Sequence, residues 1–131
     1  AVAAYKRILA DRCVTQRYVI NPFGRIRFFY SGRAPAAVDF IPQSIVADVL
    51  WCVLGPVAAL AREPGGRLTT TVPDNILIQV PSQRVPEAAM YMKEIMEQKF
   101  HCVYPGFFIP VEVKVAPPGA AWSEVRLYEI K

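Results

Sequence analysis

Residues 68–80 read LTTTVPDNILIQV and carry the clearest hairpin signal in the chain. Leucine and β-branched residues fill both halves, a composition that predicts strands over residues 68–72 and 76–80. The residues between them are proline, aspartate and asparagine, which favour tight turns because they accept the dihedral angles that a turn requires. The stretch therefore predicts an antiparallel hairpin that presents Asp74 at its tip.

The segments on either side alternate between helical and strand patterns. They are, in chain order, a helix over residues 1–17, a hairpin with strands over 18–20 and 25–30, a loop over 31–39, a helix from Pro42 that Gly55 and Pro56 kink or end, a helix from Pro86 to just before Phe100, and a strand over 109–115. This order predicts an α+β fold in which an antiparallel sheet packs against helices on one face.

Length and composition limit the classes of protein. With 131 residues, 53% of them apolar and 20% charged, the chain has room for one domain and lacks the polar bias of disordered proteins. Its three cysteines, Cys13, Cys52 and Cys102, are odd in number and widely spaced, so they predict neither a disulfide framework nor a zinc site. We expect a reducing, cytoplasmic location.

Basic residues are concentrated at the start of the chain. Residues 1–33 hold seven lysines and arginines against one acid, whereas the whole chain has a net charge of +4. Such a block favours a polyanionic partner, nucleic acid first and an anionic membrane surface next, although a solvated helix face has the same pattern. Aromatic residues interleave with these arginines, a mixture that suits base stacking and also ordinary hairpin packing: Tyr18, Phe23, Phe28, Phe29 and Tyr30.

Residues 45–61 form an apolar run about as long as the shortest membrane-spanning helices. Asp48 lies inside the run, and Pro56 removes a backbone donor that lipid does not replace. Both features favour a buried core helix over a membrane span. We therefore expect no membrane partner and rank a membrane-associated protein last among the functional hypotheses.

Asp74 is the acid best placed to bind a metal ion, because two strands hold the turn that carries it. Two divalent ions that catalyse phosphoryl transfer need carboxylates close to each other. A single aspartate does not make a metal site, and a turn of this composition is also common on any exposed surface. The local sequence leaves both interpretations open.

Five segments carry a resemblance to a known family. They are FGRIRFFY at residues 23–30, IPQSIVADV at 41–49, TVPDNILIQVP at 71–81, YMKEIMEQ at 91–98 and FIPVEVKVAPPGAAW at 108–122. In this order they resemble the C-terminal palm and fingers portion of family A DNA polymerases, the group that includes bacterial polymerase I and many phage replicases. The resemblance runs from about Tyr5 to Glu124, and the spacing of 31 residues between Gln43 and Asp74 suits it.

The resemblance implies template-directed DNA synthesis, in which a primer 3′ hydroxyl attacks a deoxynucleoside triphosphate. The family's motif C hairpin carries an aspartate that binds the two catalytic magnesium ions (Mg2+), and Asp74 occupies its position. Gln43, with Asp48 five residues on, would reach the minor-groove side of the primer-template DNA. The other residues implied to face the DNA are Arg25, Arg27, Arg33 and Asn75.

The resemblance also predicts the organisation and setting of the chain. We expect a single domain, with a basic helix and hairpin in residues 1–40 and a palm portion in residues 41–131. The strand over 109–115 would complete the palm sheet. The implied relatives are phage or viral polymerases, which would act in the host cytoplasm.

Two residues beside Asp74 depart from the family pattern. Pro73 stands where the family usually has histidine, and Asn75 stands where it usually has glutamate. The family's motif A aspartate and its nucleotide-binding basic helix are not found in the chain. We therefore expect the chain to be inactive alone and to be completed by the remainder of the polymerase, in cis or in trans. The alternative is a non-catalytic DNA-binding or assembly module, a degenerate polymerase palm.

Overall fold

The computed structural model describes residues 2–30, 34–72 and 74–130 of the chain. Helices alternate with short antiparallel strands, which confirms the α+β class. The elements are α1 (Val2–Thr15), β1 (Tyr18–Ile20), β2 (Ile26–Phe28), α2 (Ala34–Ala61), β3 (Arg67–Val72), β4 (Asn75–Gln79), α3 (Val85–Met96), β5 (Lys114–Val115) and β6 (Arg126–Leu127).

The chain divides into two compact units, Ala1–Val49 and Leu50–Lys131. The boundary falls within α2. The first unit contains α1 and the β1–β2 hairpin, and the second contains the β3–β4 hairpin, α3 and the β5–β6 pair. The sequence predicts one domain with two portions that meet at residue 40. The division into two compact units does not test this, and it stays a prediction.

The first unit has a core to which α1, the first hairpin and α2 each contribute. Leu9 and Cys13 lie one helical turn apart on α1 and are both buried. The inner face of the hairpin contributes Val19 and Phe29, and the ring of Phe29 meets Phe40 of α2 edge to face, with centroids 6.5 Å apart. This core holds the hairpin against the N-terminal part of α2.

α2 is longer than the sequence pattern predicts. The loop expected over residues 31–39 is wrong from Ala34 onward, and the break expected at Gly55 and Pro56 is also wrong, because one helix continues to Ala61. An interior proline costs a helix about 3 kcal/mol, and burial of apolar side chains along α2 offsets that cost. The buried apolar residues recur at helical spacing: Ala37, Phe40, Val49, Val53, Val57, Leu60 and Ala61.

By length and composition, the segment Pro35–Ala61 of α2 is long and apolar enough to cross a membrane. The core helix of a soluble protein passes the same test, so this property does not separate the two classes. Asp48 lies inside the segment and forms an ion pair with Arg25 of the first unit. The expectation of no membrane partner stays a prediction.

The second hairpin is confirmed, with bounds one residue from those predicted. Val72 pairs with Asn75, which places Asp74 in the connection between β3 and β4. The register shifts between Leu68 and Thr70, where β3 has one residue more than β4, a bulge that increases the local twist. Pro73 lies outside the described residues.

The approach from α2 to β3 requires a residue without a side chain at Gly66. A Cβ atom there would lie 2.6 Å from the carbonyl oxygen of Ala61, which is backbone and cannot rotate away. The Gly66 amide donates a hydrogen bond of 2.8 Å to the carbonyl of Glu63. This tight turn lies in the short connection between the end of α2 at Ala61 and the start of β3 at Arg67.

The C-terminal strand is shorter than predicted. Only Lys114–Val115 of the expected strand over residues 109–115 is paired, and it pairs with β6. Just before it, the carboxylate of Glu97 accepts the amide of Val111, and Lys93 donates to the Val111 carbonyl. The side chains of Lys93 and Glu97, at the end of α3, thus take the place of a neighbouring strand at Val111. In the described part of the chain, the strands form three separate two-stranded sheets.

Candidate functional site

Asp74 is exposed in the turn of the second hairpin. The pairing of Val72 with Asn75 fixes the backbone on both sides of the turn. The side-chain amide Nδ2 of Asn75 donates a hydrogen bond of 2.7 Å to Oδ1 of Asp74. The hairpin therefore presents a carboxylate whose orientation is restricted by its neighbour, in a position that a ligand can reach.

The donors around this turn fit a magnesium ion only in part. Asp74 supplies a carboxylate oxygen, the ligand type that magnesium prefers, and one or two protein carboxylates suffice where phosphates and water complete the shell. Among the residues that the structure describes, no group of three or more His, Cys, Asp or Glu side chains could hold a metal ion. Asp74 is thus suited to be one ligand of a shared site.

Gln43 and Asp48 lie on different sides of α2. Five residues separate them, so their side chains point about 140° apart around the helix axis. Gln43 is exposed, whereas Asp48 is buried. Of this predicted pair, only Gln43 is accessible to a partner molecule such as DNA.

Asp48 belongs to a buried polar cluster that ties the turn of the first hairpin to α2. Asn21, which begins that turn and is 4% exposed, donates from Nδ2 to Oγ of Ser44 at 2.9 Å and to Oδ2 of Asp48 at 2.6 Å. Its Oδ1 accepts the backbone amides of Phe23 and Arg25 at 3.0 and 2.9 Å. The side chain of Asn21 therefore hydrogen-bonds both to the backbone of the turn and to side chains of α2.

Arg25 completes this cluster. Its Nε donates to Oδ1 of Asp48 at 2.9 Å, and its Nη2 donates to the same oxygen. Hydrogen bonding by Arg25, with a smaller contribution from Asn21, holds the pKa of Asp48 below its ordinary value, and the carboxylate raises the pKa of Arg25. The side chain of Arg25 is 47% exposed, but its charge is already partly balanced by the carboxylate of Asp48. Its role in binding DNA stays a prediction.

Arg27 has a different environment. Its backbone pairs with Val19, and its guanidinium lies 5.4 Å from the ring centroid of Phe29 and 5.8 Å from that of Phe40. These distances are those of cation–π contacts. Arg33, the third arginine predicted to face DNA, lies outside the described residues.

The predicted site residues divide between the two units. Gln43, Arg25 and Arg27 belong to the first unit, and the structure brings Arg25 to Asp48. Asp74 and Asn75 belong to the second unit and hydrogen-bond each other. Their assigned roles in binding DNA and metal stay predictions.

Sequence reasoning missed Asn21 and Ser44 as partners of Asp48. One signal was present, because an aspartate in the apolar stripe of a helix needs hydrogen-bonding partners when it is buried. The partner 27 residues earlier could not be identified without the fold, since asparagine in a turn is common for local reasons alone.

No protein-family model matches the chain. Over 111 residues the chain is 28% identical to a protein named "DNA polymerase I, thermostable" from Thermus filiformis and 29% identical to one of the same name from Thermus thermophilus. Each match covers 85% of the chain and 13% of the relative's length. The chain is therefore similar to a small part of DNA polymerase I, which supports a relationship to family A DNA polymerases.

Proposed function

We propose that this chain acts in template-directed DNA synthesis, as the motif C part of a family A polymerase palm. The reaction is nucleotidyl transfer from a deoxynucleoside triphosphate to the primer 3′ end. The observation that carries the proposal is the exposed carboxylate of Asp74 at the turn of a hairpin, in a chain similar to DNA polymerase I. A phage or viral origin and a cytoplasmic location are parts of the same hypothesis.

Each residue has a defined role in this proposal. Asp74 holds magnesium, and the amide of Asn75 orients the Asp74 carboxylate. When bound, magnesium neutralises charge on the triphosphate and lowers the pKa of the attacking hydroxyl. Gln43 contacts the minor-groove side of the primer-template end, and Arg27, with Arg25, lies against phosphate.

The catalytic centre needs the remainder of the polymerase, in cis or in trans. The described residues offer Asp74 without a cluster of three metal-binding side chains, and one carboxylate holds two magnesium ions poorly. The isolated chain should therefore bind magnesium weakly and synthesise no DNA. Tight binding of two ions by the isolated chain, measured by calorimetric titration, would contradict this part of the proposal.

The alternative function is a non-catalytic DNA-binding or assembly module. It is favoured by Asn75, which stands where the family usually has a second carboxylate and whose amide bonds to Asp74. Under this hypothesis the hairpin keeps its shape, while the chemistry of the turn is lost. DNA binding without synthesis would then be the activity of the complete protein.

Primer extension separates the two functions. The natural protein that carries this chain should extend a primer, and Asp74→Ala should reduce the rate by at least about a hundredfold, since transition-state charge loses part of its stabilisation. Glu94→Gln is a matched control, because Glu94 is an exposed acid of the same unit and should leave the rate unchanged. Full activity in Asp74→Ala, or no synthesis by the wild-type protein, would overturn the proposal.

A further inference from the structure

The outer face of the first hairpin carries an exposed row of apolar and aromatic side chains, called the aromatic strip here. Cross-strand pairing joins Tyr18 to Phe28 and Ile20 to Ile26, so that these four side chains share one face. Tyr30 follows Phe28 by two residues and extends the row. The opposite face points into the core through Val19 and Phe29, which are 2% and 6% exposed.

Two of the three rings of the strip are open to solvent, and neighbouring rings are evenly spaced. Phe28 is 56% exposed and Tyr30 is 84% exposed. The ring centroids of Tyr18 and Phe28 are 6.0 Å apart, and those of Phe28 and Tyr30 are 6.2 Å apart with planes inclined by 15°. Ordinary hairpin packing accounts for the buried Phe29 and for the cross-strand contact of Tyr18 with Phe28, but it leaves much of the Phe28 and Tyr30 rings exposed.

The segment of the chain that carries the strip is rich in basic residues. The described part of the chain up to residue 30 holds six lysines and arginines against Asp11 alone among the acids. Arg17 directly precedes Tyr18, and its carbonyl accepts the amide of Phe29, so it lies at the end of the strip where Tyr18 begins. An apolar protein partner does not need such a surplus, whereas phosphate groups do.

We propose that the aromatic strip is a stacking platform for a single strand of nucleic acid. Bases stack on Tyr18, Phe28 and Tyr30, and phosphates lie against neighbouring cations such as Arg17, at the end of the strip where Tyr18 begins. The ring spacing is roughly twice the 3.4 Å rise per nucleotide of a stacked strand, so an extended strand fits and a duplex, whose base faces are covered, does not. The choice of DNA as the ligand rests on the proposed role in DNA synthesis.

Binding of a labelled oligothymidylate strand, followed by fluorescence anisotropy in EDTA, tests the platform. Replacing both exposed rings by leucine, Phe28→Leu with Tyr30→Leu, keeps the surface apolar but removes stacking. Affinity should fall on the order of tenfold to a hundredfold, with an unchanged salt slope because no charge is lost. Tryptophan at both positions should restore binding, which excludes a folding defect as the cause.

Controls separate this inference from the proposed function. Phe108→Leu, which alters a ring 48% exposed in the second unit, should bind the strand as the wild-type protein does. The Asp74→Ala variant should also bind the strand normally in EDTA. If that variant alone loses DNA synthesis, the loss bears on the proposed function and not on the platform. Wild-type affinity in the double leucine variant, or loss of self-association in that variant with no change in strand binding, would overturn the platform in favour of a protein partner.

Discussion

The two hairpin turns of this protein are similar in sequence composition and opposite in environment. The turn of the first hairpin contains Asn21, whose side chain makes four hydrogen bonds, two of them to residues of α2. The turn of the second hairpin contains Asp74, which is exposed and accepts one hydrogen bond from the adjacent Asn75. A polar turn residue thus stabilises the fold where a helix supplies its hydrogen-bond partners, as at Asn21, and is accessible to a ligand where its described partner is only the next residue, as at Asp74.

Asp48 and Asp74, the acids associated with the two turns, should differ strongly in their contribution to the free energy of unfolding. Asp48→Ala should lower the free energy of unfolding by about 2 kcal/mol, chiefly because it removes one partner of the buried Asn21, with a smaller loss from the hydrogen bonds to the half-exposed Arg25. Asp74→Ala should change it by less than about 0.5 kcal/mol. Urea unfolding followed by circular dichroism measures both.

For DNA synthesis by folded protein, substitution of Asp74 should have a larger effect than substitution of Asp48. Asp74→Ala should then be inactive and stable, whereas Asp48→Asn should be less stable but retain synthesis at temperatures where it is folded. Equal losses of stability in Asp48→Ala and Asp74→Ala would remove the distinction between the two turns.

The next effect is the dependence of stability on pH. The pKa of Asp48 is lower in the folded protein than its ordinary value of about 3.9. Its contribution is therefore fully present above that value and is lost as the pH falls through the lower, folded pKa. Unfolding midpoints measured from pH 7 to acid should decline less steeply below about pH 4 in Asp48→Asn than in the wild-type protein. Parallel curves for the two proteins would contradict the role given to Asp48.

A smaller effect is expected where α3 replaces a strand partner. Glu97 accepts hydrogen bonds from Lys93 at 2.7 Å and from the amide of Val111 at 2.9 Å, and its pKa is lowered chiefly by Lys93. Glu97→Ala should cost about 1 kcal/mol of stability and expose the Val111 amide to hydrogen exchange. Glu94→Ala, which removes an exposed acid of α3, is the matched control. Unchanged exchange at Val111 would show that the segment is held by other contacts.

The smallest effect sharpens the description of the first hairpin. If Arg27 contacts phosphate, Arg27→Ala should flatten the dependence of log affinity for duplex DNA on log salt by about 0.9. Arg25→Ala should flatten it less, because Asp48 already accepts from its Nε and Nη2. Lys99→Ala removes an exposed charge of the second unit and serves as the control. Equal slopes in all four proteins would remove both arginines from the interface.

Local patterns predicted most of the secondary structure but not the extent of α2 or β5. Both hairpins and α3 follow from turn formers and short-range periodicity, and their bounds are close to those expected. α2 passes through Pro56 because its buried stripe stabilises the helix on both sides. The alternation at residues 109–113 does not form a strand, because Glu97 and Lys93 bind the Val111 backbone. Local propensity contains no information about such distant partners.

Local residue patterns are enough to predict the α+β class, the hairpin that carries Asp74 and the basic character of the first residues, and residue identities alone show the similarity to part of DNA polymerase I. Which polar side chains are buried and which are accessible depends on contacts between elements that are distant along the chain. Asp48 and Asp74 are the same residue type, and hydrogen bonds from Asn21 and Arg25 make the first a structural group. The physical reason is that the free energy of a charge depends on the solvent and partners around it, and folding alone brings those together.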